Sequence, residues 1–179
     1  MSDLVVITYN QESKATDALA KIATLKQENV QKALVHIEDA AVAVKNAKGK
    51  VKIKQTLESA VKGGRVASGG LWGLLIGFLF GGPIFGALLG MGLYALLGNK
   101  IDIGIDNKFI DDVSNDLAPG DSALFLLVNN TPAEVVSESL SEFGGNLYHT
   151  SLSDEAEQAF HKALEQEEIK TAVIAHHEA

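Results

Sequence analysis

The residue types that perform most enzyme chemistry are scarce in this chain. It has 0 Cys and 5 His, so thiol nucleophiles and thiolate metal sites are excluded. The histidines lack the spacing of a metal-binding helix such as H-E-x-x-H, and two of them lie in predicted strands, where a structural role is expected. They are His36, His149, His161, His176 and His177. The sequence therefore predicts no catalytic residue and no metal site.

Two further patterns could bind ligands, but each lacks the context that binding requires. Six aspartates lack the carboxylate spacing and the glycine of a calcium loop, and we interpret them as a solvated acidic face. They are Asp102, Asp106, Asp111, Asp112, Asp116 and Asp121. Residues 90–95 match the dinucleotide pattern G-x-G-x-x-A, but they lie inside an apolar run and do not follow a strand. We expect no cofactor, and we expect that the chain is not an enzyme.

Charge is distributed very unevenly along the 179 residues. Residues 1–65 hold 11 Lys+Arg and 7 Asp+Glu, residues 66–98 hold neither, and residues 99–179 hold 4 and 16, for a net charge of -8. This acidic balance argues against nucleic acid as a partner. Residues 66–98, here called the charge-free segment, exceed the length needed to cross a bilayer core of ~30 Å. We expect this segment to be a membrane or assembly element.

Within the charge-free segment, glycine recurs at steps of four. On a helix these glycines share one face, where a second backbone can approach closely, so the pattern predicts helix packing between subunits. They are Gly69, Gly73, Gly77 and Gly81, then Gly82, Gly86 and Gly90. Pro83 follows the Gly81-Gly82 pair and predicts a turn or a kink. The segment is therefore either a glycine-zipper helical hairpin or a single kinked transmembrane helix.

The flanking regions, 1–65 and 99–179, have the patterns of a soluble α/β domain split by an insertion. Before the segment we predict a strand, a helix, a strand and a hairpin, at 4–9, 12–28, 32–39, and 41–45 with 51–54. After it we predict a helix at 109–117, strands at 123–129 and 147–152 with a helix between them, and a C-terminal helix. Two strand–helix–strand units predict an α+β, ferredoxin-like sandwich with helices on one face of its sheet. Neither half alone offers enough core to be stable.

A basic group precedes the charge-free segment. It includes Lys50, Lys52, Lys54, Lys62 and Arg65. These side chains are placed to contact anionic lipid headgroups, at about 1 kcal/mol per residue near the surface. They could equally contact the acidic half of a neighbouring copy. A basic flank also places the N-terminal region in the cytoplasm by the positive-inside rule.

Several stretches of the chain resemble a known family over nearly the whole length. These are LVVITYNQESKATDALAKI, VAVKNAKGKVKIKQT, the glycine-rich apolar block, PGDSALFLLVNNTPAEVV and FGGNLYHTSLSDEAEQAF. They resemble the bacterial predicted membrane proteins of domain-of-unknown-function family 1269. The resemblance implies a protein of the bacterial inner membrane with a cytoplasmic domain, a weak association with stress, and no assigned activity or catalytic residues.

The sequence therefore favours a membrane-associated structural or assembly protein that forms homo-oligomers through its glycine-zipper hairpin. Its expected partners are other copies of itself and the lipid bilayer, with anionic lipids as candidate contacts. The alternative is a soluble oligomeric assembly or ligand-binding module, in which the apolar hairpins are buried at the centre of the oligomer.

Overall fold

A computed structural model describes residues 2–27, 37–63, 71–80, 105–130, 132–156 and 158. They form one five-stranded antiparallel sheet with helices. The strands are β1 (Ser2–Tyr9), β2 (Ile37–Lys45), β3 (Val51–Thr56), β4 (Ser122–Asn129) and β5 (Asn146–Ser151). The helices are α1 (Lys14–Gln27), α2 (Leu57–Lys62), α3 (Leu71–Phe80), α4 (Asn107–Asp116) and α5 (Ala133–Ser139), with a short 3-10 turn at Ser141–Phe143.

The strand order β3-β2-β4-β1-β5 interleaves the two halves of the chain. β4, from the second half, pairs with β1 and β2 from the first half, and β1 separates β4 from β5. Each strand–helix–strand unit is thus split by a strand of the other unit. Because each of the three central strands, β2, β4 and β1, pairs with at least one strand from the other half, the two halves form one sheet. The predicted α+β class is confirmed.

β1 and β4 each contain an apolar run, residues 4–7 and 123–128, and nearly all of their residues are buried. Successive side chains of a strand point to opposite faces, so continuous burial requires both faces of the sheet to be covered. One face packs against α1, α2 and α5. The other packs against α3 and α4. The prediction of helices on only one face is therefore wrong, because the start of the charge-free segment covers the second face.

The predicted β2–β3 hairpin is confirmed, with its turn at residues 46–49. The Asn46 side-chain oxygen accepts hydrogen bonds from the backbone N–H groups of Lys48 (2.9 Å) and Lys50 (3.0 Å). Gly49 has φ +75°, a conformation that glycine adopts at little cost. β2 is one continuous strand with an irregular register between Ile37 and Asp39, where two shorter strands were predicted.

Candidate functional site

The candidate site is α3, the first helical part of the charge-free segment. It lies on the sheet and buries Trp72, Leu75, Ile76 and Leu79, each no more than 5% exposed. Their spacing of three, one and three residues is that of one helix face. Full burial of such a side chain contributes about 1.5–3 kcal/mol. One face of α3 is therefore part of the core of the domain.

Phe125 of β4 lies beneath α3 and contacts one aromatic ring from each end of that helix. The Trp72 ring is 6.3 Å away at a tilt of 58°, and the Phe80 ring is 6.2 Å away, edge-on at 89°. Such tilted and edge-on pairs add about 0.5–1.5 kcal/mol beyond area burial. These contacts centre α3 over the middle of the sheet.

A single charged hydrogen bond joins the start of α3 to the sheet. The indole Nε1–H of Trp72 donates to Asp39 Oδ2 at 2.8 Å, and Asp39 Oδ1 accepts from the N–H of Ala40 at 2.8 Å. Burial raises the pKa of Asp39 above its ordinary value, and the hydrogen bond from Trp72 opposes that rise. The carboxylate tolerates this apolar face because both of its oxygens are hydrogen-bonded.

The other end of α3 is bonded to α4. The hydroxyl of Ser114 donates to the carbonyl oxygen of Leu79 at 3.1 Å. This bond joins the second half of α3 to α4. Both ends of α3 are thus bonded to the domain, one to the sheet and one to α4.

The predicted packing glycines are only partly within the described residues. Gly73 and Gly77 lie on α3 and are half-buried, next to the four fully packed positions but not among them. Gly69, Gly81, Gly82, Gly86 and Gly90, and the predicted turn at Pro83, lie outside the described residues. Within the described ranges, no helix has both the length and the apolar character needed to cross a membrane.

The predicted basic residues surround the β2–β3 hairpin and α2, and Arg65 lies outside the described residues. Lys50 and Lys52 are exposed. Lys54 pairs with Glu12 at 3.3 Å, and Lys62 pairs with Glu58 at 3.3 Å. Exposed pairs of this kind contribute little stability. Lys50, just before β3, and Lys52, on β3, are therefore exposed, whereas Lys54 and Lys62 have acidic neighbours.

The described aspartates of the acidic set do not converge on a ligand, and most of them have separate structural roles. Asp106 accepts from the N–H of Lys108 at the start of α4, and Asp121 accepts from the N–H of Ala118 in a turn. No group of three His, Asp or Glu side chains among the described residues could hold a metal ion. Asp102 lies outside the described residues, as do the histidines other than His149, whose Nε2 is 3.5 Å from Asp3 Oδ1.

Asp116 is the centre of a polar cluster that binds α4 to the sheet. It accepts hydrogen bonds from the hydroxyl of Thr8 and from the amide of Asn146, at 3.0 Å to Oδ2. Burial acts to raise its pKa, but bonds from Thr8, Asn146 and Tyr148 outweigh that effect, and the pKa of Asp116 is below its ordinary value. Burial and the contact with Asp116 raise the pKa of the Tyr148 phenol. The Asp116 carboxylate and the Tyr148 phenol therefore hold α4 on the sheet. Neither group has a pKa near neutral pH, as a general base would need.

Sequence reasoning missed Asp39 and Trp72, the two residues that fasten α3 to the sheet. Asp39 is the one acidic residue that directly precedes the apolar stretch of residues 40–44, and Trp72 is the only tryptophan in the chain. A carboxylate next to an apolar run and an indole N–H in a charge-free run each need a hydrogen-bond partner if they are buried. That shared need was the available signal.

Comparison with known proteins gives one match. A family model described as "Protein of unknown function (DUF1269)" matches residues 66–165. The matched range begins at the charge-free segment and includes α3, α4, β4, α5 and β5. No curated protein and no solved structure matches the chain.

Proposed function

The chain belongs to the DUF1269 family of proteins of unknown function, and we propose that it is a non-enzymatic assembly protein that associates with copies of itself through its charge-free segment. The observation that carries the proposal is α3. One face of this helix is buried in the domain through Trp72, Leu75, Ile76 and Leu79. α3 is therefore held in a defined position on the sheet, and its glycine-bearing side can pack against another chain.

Two half-buried glycines, Gly73 and Gly77, give α3 a surface suited to close helix packing. Glycine inside a helix costs about 1 kcal/mol relative to alanine. Two glycines one turn apart become favourable when a second backbone enters the space left by the missing side chains. A neighbouring copy supplies such a backbone, and the same spacing continues at Gly81 in the sequence.

The fold supports this role because the segment enters between two halves that share one sheet. We infer that the β2-β4-β1-β5 core is a ferredoxin-like sandwich to which β3 adds a fifth strand. In this arrangement the charge-free segment is an insertion that leaves and rejoins the same domain. Association through the insertion then leaves the sheet and its helices intact in every copy.

The burial of α3 favours the form of the proposal in which charge-free segments meet protein within an oligomer. Membrane association is the second candidate, and the observation that favours it is the uncharged run of residues 66–98. In that case Lys50, Lys52, Lys54, Lys62 and Arg65 would contact anionic headgroups beside the segment. The location would then be the bacterial inner membrane, with the sheet on its cytoplasmic side.

The test of self-association is the native mass of the full chain, measured by light scattering with and without a nonionic detergent. We expect Gly77→Ile to reduce the oligomer, because a branched side chain holds the facing backbones apart. Ser137→Ile is the matched control, since Ser137 is an exposed small residue on α5. A wild-type monomer in both solvents, or equal oligomers in both variants, would refute the glycine-bearing side as the interface.

Fractionation separates the two candidates. A protein-only assembly stays in the supernatant of a cell lysate at every salt concentration. A membrane-associated chain sediments with membranes and resists a high-salt wash, because apolar anchoring is insensitive to salt whereas lysine contacts are screened. Release from membranes by salt alone would contradict membrane anchoring through the charge-free segment.

A further inference from the structure

The topology separates the two charged halves of the chain onto opposite edges of the sheet. β3 forms one edge and β5 the other, and no strand among the described residues pairs with the outer side of either. Four strand spacings of about 4.8 Å place these edges roughly 19 Å apart. α4 packs against β5 and β1, so its exposed acidic residues lie on the β5 side of the domain.

Each edge carries exposed charges with no ion-pair partner among the described residues. The basic edge consists of Lys48, Lys50 and Lys52, from the hairpin turn and β3. The acidic edge consists of Asp111 on α4, and Asp154 and Glu155 just after β5. Lys54 and Lys62 are excluded from the basic edge because each already has an acidic neighbour.

These two sets of charges cannot neutralise each other within one molecule. The screening length at physiological salt is about 8 Å, much less than the width of the sheet. A second copy in the same orientation brings the basic edge of one molecule against the acidic edge of the next. The contact is heterologous, so it leaves one edge of each sign free at the ends of any open assembly.

We propose that the basic edge of one copy binds the acidic edge of the next copy, head to tail. This inference rests on the proposed self-association and adds a second, charged contact surface to it. Lysines on β3 also oppose pairing between two β3 edges, since like charges would meet. Charge therefore selects the orientation of the neighbour, while the glycine-bearing side of α3 supplies apolar contact.

The two contact surfaces differ in their sensitivity to salt, so their contributions to association can be separated. Association through the edges weakens as salt rises, because exposed charge pairs are screened. Apolar packing through α3 does not weaken with salt. Sedimentation of the full chain in a nonionic detergent, at low and at high salt, measures both contributions in one sample.

The decisive experiment is a charge swap between the two edges. Lys50→Glu with Lys52→Glu makes both edges acidic, and Asp111→Lys with Glu155→Lys makes both edges basic. We expect each double variant alone to associate at least about tenfold more weakly than wild type at low salt. Mixing the two variants should restore association, because each then meets an edge of opposite sign; restoration also shows that both variants are folded.

Glu134→Lys with Glu138→Lys is the matched control, since both residues are exposed on α5, away from the two edges. The inference predicts that this control associates as wild type does. It is overturned if the control weakens as much as the edge variants, or if mixing restores nothing. If Gly77→Ile loses association while the edge variants associate normally, only the charged contact is overturned. If the wild type is a monomer at every salt concentration, both proposals are overturned.

Discussion

The hydrogen bond between Trp72 and Asp39 gives a quantitative test of how α3 is held on the sheet. Trp72→Phe removes the indole donor and leaves Asp39 Oδ2 without the partner that it has at 2.8 Å. A hydrogen bond to a charged group contributes about 1.5–3 kcal/mol, and we expect this substitution to lower the free energy of unfolding by about 3 kcal/mol once the smaller ring is included.

Asp39→Ala should cost less than Trp72→Phe, about 1–2 kcal/mol, because it removes an acceptor and also a carboxylate that is costly to bury. The double variant should be little worse than Trp72→Phe alone. The resulting coupling energy of about 1.5 kcal/mol is the contribution of the pair. Urea unfolding followed by far-ultraviolet circular dichroism measures all four proteins, since the tryptophan signal is lost in two of them.

A second double-mutant cycle, on a pair of residues that are not hydrogen-bonded to each other, controls for general weakening of the core. Phe109→Leu removes a ring from α4 on the same face of the sheet, where Phe109 is buried. Combined with Asp39→Ala it should be additive to within about 0.5 kcal/mol, because the two side chains have no shared hydrogen bond. Equal coupling in the two cycles, or no coupling between Trp72 and Asp39, would refute the reasoning.

Acid titration supplies an independent readout of Asp39. Burial raises its pKa above the ordinary value of 3.8, so between 3.8 and the raised pKa the folded state binds more protons than the unfolded state. The wild type should therefore lose stability as the pH rises through that window. Asp39→Asn should lack this component, and identical pH profiles for the two proteins would show that the carboxylate is not buried.

Three further predictions concern other parts of the domain. A Cβ at Gly145 would lie 2.6 Å from the Thr8 carbonyl oxygen, so Gly145→Ala should destabilise by at least about 1–2 kcal/mol more than Gly120→Ala, whose similar φ faces open space, as measured by urea unfolding. Burial raises the pKa of Tyr9 to about 12, and its hydroxyl has no partner among the described residues. Tyr9→Phe should therefore be neutral or stabilising by up to about 1 kcal/mol and should remove a loss of stability between pH 10 and 12. The lowered pKa of Asp116 means that its stabilising contribution is lost as the pH falls below 3.8, a loss that acid unfolding of Asp116→Asn should not show.

The sheet was largely predictable because its signals are local. The apolar run of β1 and the Asn46 to Gly49 turn each depend on a few neighbouring residues, and the structure has both. β2 was predicted as two pieces because Asp39 interrupts its apolar pattern. The Asp39 side chain is accommodated because it accepts a hydrogen bond from Trp72 of α3, which is far away in the sequence.

The packing of α3 on the second face of the sheet was not predictable from composition. An uncharged helix suits a bilayer and a buried sheet face equally well, since both surroundings are apolar. What distinguishes them here is the indole of Trp72 bonded to Asp39, together with the ring of Phe125 beneath α3. These contacts join residues more than thirty positions apart, and no local pattern specifies them.

The environment of Trp72, the only tryptophan in the chain, tests directly whether α3 packs on the sheet. The full chain is mixed with vesicles of anionic lipid that carry brominated acyl chains, and its fluorescence is compared with that in unbrominated vesicles and in acrylamide. Because Trp72 lies on the sheet-facing side of α3 and is only 3% exposed, we predict emission typical of a buried indole, with little quenching by acrylamide or by bromine. Strong quenching by the brominated chains would place Trp72 in lipid and would contradict the docking of α3 on the sheet.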